Sequence, residues 1–261
     1  MTQPYTIGGI NLLPEDQKHK IYCDLIPREL NERFNLPRSF VDEQGRSLIQ
    51  AKWAAGNPSV ELALYHKADF PDPILYGHLT DTVNGQIHVL LYILNDPDSP
   101  RFNVDKMPDG RPTRFGTLIR NLEAEKSALE AELAPGQVRR GLRLLNPAVI
   151  AFENFVEELG HELYFVEPLY YHNAVIFERY GFAYQQGRKL MEGIHSGFSE
   201  GGDLLKRLDD STFRRAQAKN SIRLRSWAIH DGILGEPFTN VTMYKRVGKH
   251  AGVSTTASVR W

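Results

Sequence analysis

Residues 143–182 read RLLNPAVIAFENFVEELGHELYFVEPLYYHNAVIFERYGF, and this stretch decides the fold. The pair Asn146-Pro147 predicts the start of a helix, because asparagine is a preferred N-cap and proline suits the first helical position. Apolar residues then recur at helical spacing as far as Gly160, which predicts the helix end. Leu163–Val166 is an apolar run of strand length, and Asn173–Phe177 has a short helical pattern. The stretch is therefore predicted to fold as helix, strand and helix in close succession.

The start of the first helix is a candidate anion site. An exposed helix N-terminus presents unpaired backbone N–H groups and the positive end of the helix dipole, which together bind groups such as pyrophosphate. Arg139, Arg140 and Arg143 precede this helix and would add positive charge. Taken alone, these residues favour a plain capped helix beside solvated arginines. The complete unit, which ends in Tyr180-Gly181-Phe182, favours a ligand site.

Two motifs in this unit resemble the GNAT superfamily of N-acetyltransferases. Arg143-x-x-Asn146-x-Ala148 is similar to the family's acyl-CoA turn, and residues 177–182 are similar to its Tyr-x-x-x-Gly-Phe helix. Weaker similarity extends the resemblance to about half of the chain. Residues 5–16 resemble the family's opening strand and helix, and residues 240–246 resemble its closing strand. It implies an α/β (α+β) fold, in which helices flank a mixed, mostly antiparallel central sheet that splays at its centre.

The resemblance also implies a domain organisation. Residues 1–247 would form a single GNAT-like domain with helical and loop insertions at about 96–142 and 187–238. Residues 248–261 are polar and rich in small side chains, which predicts a C-terminal tail.

The activity implied by the resemblance is direct transfer of an acetyl group from acetyl-CoA to an amine acceptor. The acceptor would be a small molecule or a peptide. Acetyl-CoA would be the co-substrate, without a metal. The positions that match the family's cofactor site are Arg143, Asn146, Ala148, Val149, Asn173 and Phe177.

Two departures from the family pattern keep an alternative open, a catalytically inactive ligand- or protein-binding module. Asn146 stands where the family has the glycine nearest the phosphates, and Phe177 stands where many members have a tyrosine that protonates the leaving thiolate. Tyr180, one helical turn further on, could offer a hydroxyl instead.

His88 and Glu167 are the candidate general bases. His88 lies on the strand from which the resembled family often supplies a base, and histidine titrates in the range that suits deprotonation of an amine. Glu167 follows the strand after the phosphate helix and is the carboxylate alternative. A histidine or glutamate on a strand is more often simply satisfied by hydrogen bonds, and that alternative stays open.

Composition limits the remaining functions. The formal net charge of -1 gives no overall attraction to nucleic acid or to anionic membranes. A single cysteine, Cys23, is compatible with a reducing compartment, and the absence of a secretion signal or spanning segment predicts a cytoplasmic protein. The pair Glu157 and His161 lacks a third ligand, so no metal is expected. The oligomeric state is left open, a homodimer included.

Further elements follow from local patterns. Prolines predict helices over Pro14–Ile26 and Pro27–Phe34, and Asn84-Gly85 predicts a hairpin between strands at 74–82 and 86–94. An amphipathic helix is predicted over Thr117–Leu133, and a glycine-rich loop or lid over Gly187–Gly202. His230 and Asp231 are adjacent in sequence and cannot easily orient each other, and Asp231-Gly232 is predicted to form a turn.

Overall fold

The computed structural model describes residues 4–113, 119–256 and 259–261. It divides the chain into two compact units, each built from separate stretches of sequence. Unit 1 comprises Met1–Asp98, Gly141–Glu167 and Tyr244–His250, and unit 2 comprises Ser99–Arg140, Pro168–Met243 and Ala251–Trp261. The sequence predicts one domain with an insertion at about 96–142, and that insertion corresponds closely to the first stretch of unit 2.

Within these described residues the chain forms nine α-helices, one 3-10 helix and seven strands. The helices are α1 (Ile7–Ile10), α2 (Glu15–Cys23), α3 (Arg28–Arg33), α4 (Leu122–Glu130), α5 (Leu145–Glu158), α6 (Tyr171–Arg179), α7 (Arg188–Gly197), α8 (Asp203–Lys206) and α9 (Ile222–His230), and the 3-10 helix covers Ala216–Asn220. The strands are β1 (Ile49–Lys52), β2 (Ser59–Leu64), β3 (Leu75–Asp81), β4 (Ile87–Leu94), β5 (Leu163–Val166), β6 (Ala183–Gln186) and β7 (Thr242–Arg246).

The predicted mixed, mostly antiparallel sheet is confirmed. Strands β1 to β4 form an antiparallel ladder, β4 pairs in parallel with β5, and the strand order is β1-β2-β3-β4-β5-β7-β6. The predicted hairpin between β3 and β4 is also present: the Gly85 N–H donates to Thr82 O at 2.8 Å, with Gly85 at φ 75°. Glycine adopts this left-handed conformation without the steric cost that a side chain would bring.

In unit 1 the sheet buries one face against α5. Val60, Leu62 and Leu64 alternate with half-buried residues along β2, as expected for a strand with one covered face. Phe152 of α5 lies edge-on to Tyr92 of β4, with ring centroids 5.1 Å apart. Phe152 is 5 % exposed, so its truncation to alanine should destabilise the fold by about 3–5 kcal/mol. The opposite face carries His78, Thr80 and His88 and is half-buried.

Unit 2 has its own core around Trp227 of α9. The Trp227 indole stacks on Phe213 at 5.3 Å and donates its N–H to Leu133 O at 2.8 Å. Leu129 of α4 packs into the same cluster. Of the helix predicted over Thr117–Leu133, the structure shows Leu122–Glu130 as α4, and the predicted first residues, Thr117 and Leu118, lie outside the described residues.

Two local predictions are wrong. The predicted opening strand near Tyr5 is instead the approach to α1, because Thr6 caps that helix by accepting from the Gly9 N–H at 3.0 Å. The predicted glycine-rich loop over Gly187–Gly202 contains α7. Gly193 lies within that helix, with open space where a side chain would stand.

The end of the chain is not a free tail. Thr255 is 7 % exposed, and its N–H and hydroxyl both donate to the buried Glu178 carboxylate, at 3.1 and 2.6 Å. The Ile222 N–H donates to Arg260 O at 2.8 Å. Long-range hydrogen bonds of this kind leave no local pattern, so composition suggested a tail.

Candidate active site

The start of α5 lies close to the carboxyl end of β4. Asn95, directly after β4, forms an antiparallel bridge with Gly141, and α5 begins a few residues later. Ligands of open α/β sheets bind in the crevice outside the carboxyl ends of parallel strands. The geometry in unit 1 therefore brings a helix N-terminus to the place where such a ligand would lie.

The helix begins earlier than predicted, and this changes which N–H groups are free. Arg143 has φ 59°, a left-handed turn after which α5 starts with Leu144 as its N-cap. Pro147 is then the third helical residue and has no N–H. Because the Ala148 N–H donates to Leu144 O at 3.1 Å, the unused donors are those of Leu145 and Asn146.

The predicted contributions of Ala148 and Val149 are corrected accordingly. Their side chains are 1 % and 9 % exposed and point into the core, and their N–H groups belong to the helical hydrogen-bond pattern. Asn146 is exposed, and Leu144 supplies no side-chain cap.

Only one of the three predicted arginines stays available for an anion. Arg139 and Arg140 belong to unit 2, where their guanidinium groups donate to the carbonyl oxygens of Ser99 and Ala131. Arg143 is exposed and makes no hydrogen bond or ion pair with any residue that the structure describes.

The parallel pairing between β4 and β5 is short. It joins His88 to Phe165 and Val89 to Val166, and the Glu167 N–H adds a hydrogen bond to Val89 O at 3.3 Å. On the other side of β4, the register with β3 shifts so that Leu90 has no partner. A bulge of this kind bends a strand and interrupts its ladder. Beyond it, residues 90–94 are half-buried and unpaired with β5.

His88 lies at this junction with an unsatisfied ring. Its Nε2 atom is buried and has no hydrogen-bond partner among the described residues, and its ring stands edge-on to Phe165 at 6.4 Å. Burial lowers the pKa of His88, against the opposing influence of the Glu167 charge. The ring is therefore held in the neutral form, which can accept a proton.

Glu167 is exposed and follows β5 directly. Alternation along a strand places its side chain on the same sheet face as those of Phe165 and His88. The structure thus brings the two predicted bases together.

The remaining predicted residues, Asn173, Phe177 and Tyr180, belong to α6 in unit 2. The Asn173 side chain accepts from the Tyr170 N–H at 3.2 Å and so caps its own helix. The Phe177 ring lies 5.0 Å from that of Phe182. Tyr180 is the half-buried C-cap residue. Their predicted roles at a cofactor stay predictions.

Sequence reasoning missed a second cluster, in unit 2. His230 Nε2 lies 3.0 Å from Glu125 Oε1, and Arg120 donates to Glu125 and to Asp231. His230 ends α9, and the turn predicted at Asp231-Gly232 follows it directly. Its partner is not the adjacent Asp231 but Glu125, 105 positions away, and no local motif signals that contact.

No group of three or more metal-binding side chains occurs among the described residues. His161, which the sequence analysis considered together with Glu157, has its Nε2 atom 2.6 Å from the carbonyl oxygen of Tyr5. Across residues 4–113, 119–256 and 259–261, no helix has the length and apolar character needed to cross a bilayer.

Comparisons with protein-family models, with curated proteins and with solved structures found no match to this chain.

Proposed function

We propose that this protein is an N-acyltransferase that transfers an acetyl group from acetyl-CoA directly to an amine, at the junction of β4 and β5 in unit 1. The single observation that carries the proposal is the end of the parallel pairing at Val89 and Val166, beside the Leu90 bulge. There the half-buried apolar residues of β4 are left unpaired with β5, between the neutral His88 at the start of β4 and the helix N-terminus near Asn95 at its end.

The start of α5 supplies the anion site for the pyrophosphate. The N–H groups of Leu145 and Asn146 lack an intrahelical partner and a side-chain cap, so they are free to donate to phosphate oxygens. The helix dipole and the free Arg143 guanidinium add positive charge at the same point. Asn146 takes the place of a glycine in the resembled motif, but here only its backbone N–H is required.

Proton transfer falls to His88, with Glu167 as its neighbour. The amine loses a proton to neutral His88, directly or through one water, as the new C–N bond forms at the thioester carbonyl. The C–S bond then breaks, and the thiolate takes up a proton from solvent. A positioned general base contributes about 10²–10⁴-fold to such a step.

A thiol-release assay with a panel of amines tests the proposal. We expect acetyl-CoA and at least one amine to yield free thiol together with an acetylated product, identified by mass. His88→Gln should lower kcat/KM by about 100-fold or more. The matched control is His78→Gln on the same sheet face, where His78 Nε2 already lies 2.9 Å from Ser59 Oγ; its rate should stay within about threefold. Equal losses in both variants would remove His88 as the base.

Phe177 favours a second candidate, a module that binds the acyl carrier without turnover. A phenylalanine cannot protonate a leaving thiolate. Saturable binding of acetyl-CoA without thiol release from any amine in the panel would select the module, whereas release would exclude it.

A further inference from the structure

Unit 2 buries an arginine that has no carboxylate partner. Arg225 of α9 is 2 % exposed, and it forms no ion pair with any residue that the structure describes. Its guanidinium donates instead to Ala218 O at 3.0 Å and to Lys219 O at 2.7 Å. A buried charge that no anion neutralises depends on its hydrogen bonds, so the loss of any acceptor around Arg225 destabilises the packing there.

His195 of α7 is the third acceptor of this guanidinium. Nη1 of Arg225 lies 3.2 Å from Nδ1 of His195. A guanidinium can only donate hydrogen bonds, so Nδ1 must carry a lone pair at this contact. The imidazole is therefore neutral, with its proton on Nε2. Any further proton must bind at Nδ1, the atom that faces Arg225.

Arg225 also contacts the end of α7 through Phe198. The guanidinium carbon lies 5.1 Å from the centroid of the buried Phe198 ring, which is a cation–π contact. His195 and Phe198 are three positions apart, so both belong to the last turn of α7 and its C-cap. Glycines lie on either side of this segment, with Gly187 at φ 93° before α7 and Gly201 at φ 78° before α8. Arg225 thus holds a segment of α7 that has flexible residues at both ends.

No carboxylate is in place to offset a second positive charge at this contact. The acidic side chains of the neighbouring helices have other partners: Glu192 of α7 pairs with Arg188, Asp203 of α8 with Arg207, and Glu178 of α6 accepts from Tyr184 and Thr255. The 3-10 helix contributes only the Lys219 carbonyl oxygen and an exposed lysine side chain. From α6, Tyr171 faces the guanidinium, and burial raises the pKa of Tyr171, so its hydroxyl stays neutral.

Protonation of His195 places two positive charges in contact. Burial lowers the pKa of His195, and the Arg225 charge lowers it further. Once the contact is broken and the ring is solvated, that pKa returns to the ordinary value of about 6.5. The packed state is therefore fully favoured above pH 6.5, and it loses stability as pH falls from 6.5 toward the lowered value.

We propose that the contact between Arg225 and His195 is an acid-sensitive latch in unit 2. Protonation of His195 at Nδ1 removes the acceptor from the buried guanidinium, and the last turn of α7 is released together with the turn that leads to α8. The latch is independent of acetyl-CoA and of the proposed acyl transfer.

Hydrogen exchange at the Phe198 amide tests the latch. This amide donates to Ile194 O at 3.1 Å, so it exchanges only when the last turn opens. We expect its opening constant, corrected for the intrinsic exchange rate, to rise about 10-fold per pH unit below pH 6.5 until His195 is protonated. His195→Gln should show no such rise, because a glutamine oxygen can accept from Arg225 and does not titrate. An equal rise in His195→Gln would overturn the proposal.

Two controls separate the latch from general unfolding in acid. His250→Gln removes an exposed histidine of unit 1 and should keep the wild-type rise. The Asp231 amide, which donates to Trp227 O at 2.9 Å, reports opening of unit 2 outside α7. Its opening constant should stay at least about 10-fold below that of Phe198. Equal constants at the two amides would show unfolding of the whole unit and refute the latch, and so would a His195 ring that titrates at or above pH 6.5 by NMR.

Discussion

Two histidines, one in each unit, are built in opposite ways. His88 of unit 1 has a buried Nε2 atom without a hydrogen-bond partner in the part of the chain that the structure describes, and an exposed glutamate lies nearby. His230 of unit 2 is instead held by the buried Glu125. Sequence reasoning promoted the first and dismissed the second. The resemblance points to the strand that carries His88, but no local pattern points to His230, whose partner lies 105 positions away.

The difference between the two histidine environments predicts which substitutions change the stability of the protein and which change its activity. A buried polar group without a hydrogen-bond partner, such as the His88 ring, lowers the free energy of unfolding. A fully paired network, such as Glu125 with Arg120 and His230, stabilises the fold. Removing Glu125 should therefore damage the fold, and removing Glu167 should affect only the chemistry.

The largest expected effect is on stability in unit 2. Glu125→Leu leaves the Arg120 guanidinium, 16 % exposed, without its main partner, and should lower the free energy of unfolding by about 3–5 kcal/mol. Glu167→Leu, on the exposed partner of His88, should change it by less than about 0.5 kcal/mol. Urea denaturation measures the free energy of unfolding of both variants. Equal decreases in the two variants would contradict the predicted difference between the two glutamates.

The pH dependence of stability tests whether the ionised form of Glu125 stabilises the fold. The pKa of Glu125 is lowered by folding, so its stabilisation is complete above the unfolded value near 4.5 and is lost as pH falls through the folded value. The stability difference between wild type and Glu125→Leu should narrow below pH 4.5. A difference that widens there would contradict the ion-pair account.

A smaller effect is expected in unit 2 where Gly136 packs against the Tyr170 ring. Gly136→Ala places a side chain at φ 81° and against the Tyr170 ring, and should destabilise by about 2–4 kcal/mol. Gly110→Ala, at φ 84° with open space around it, carries the backbone strain alone and should cost about 1 kcal/mol. Thermal unfolding separates the two, and similar losses would mean that Tyr170 moves aside freely.

The pH profile of kcat/KM tests whether His88 is the general base. Burial lowers its pKa, so the acid limb of kcat/KM should fall below the ordinary histidine value of about 6.5. Because the Glu167 charge raises that pKa, Glu167→Gln should move the limb to still lower pH. An upward shift would show that His88 is not the titrating base.

The smallest effect is expected at Arg143. The side chain is exposed, so Arg143→Ala should weaken acetyl-CoA binding by only about 3- to 10-fold, with a larger loss at low ionic strength. Arg140→Ala is the control, because the Arg140 guanidinium donates to Ala131 O in unit 2. Calorimetry at two salt concentrations measures both variants, and an equal loss with Arg140→Ala would remove the specific role of Arg143.

Elements with strong local signals were predictable from the sequence. The hairpin at Asn84-Gly85, the strand Leu163–Val166 and the apolar face of α5 follow from turn chemistry and periodicity, and the structure contains all three. The start of α5 was misplaced because proline is tolerated anywhere in the first turn, and the left-handed Arg143 set the true boundary.

The candidate sites were only partly predictable. The resemblance pointed to His88 and Glu167 as alternative bases, but the pairing of β4 with β5 that brings them to one sheet face is seen only in the structure. The Glu125–His230 contact and the anchoring of Thr255 by Glu178 depend on tertiary packing between distant segments. Hydrogen bonds of this kind have no periodicity to detect.

The most direct test of the central claim is an NMR titration with acetyl-CoA that follows the backbone amides of Leu145 and Asn146. The account predicts large, saturable shifts at both, with an affinity of roughly 1 μM to 1 mM. The Leu224 amide is the internal control, because it already donates to Ser221 Oγ at the start of α9; it should not move. Unchanged signals from Leu145 and Asn146 at millimolar acetyl-CoA would contradict the proposed cofactor site.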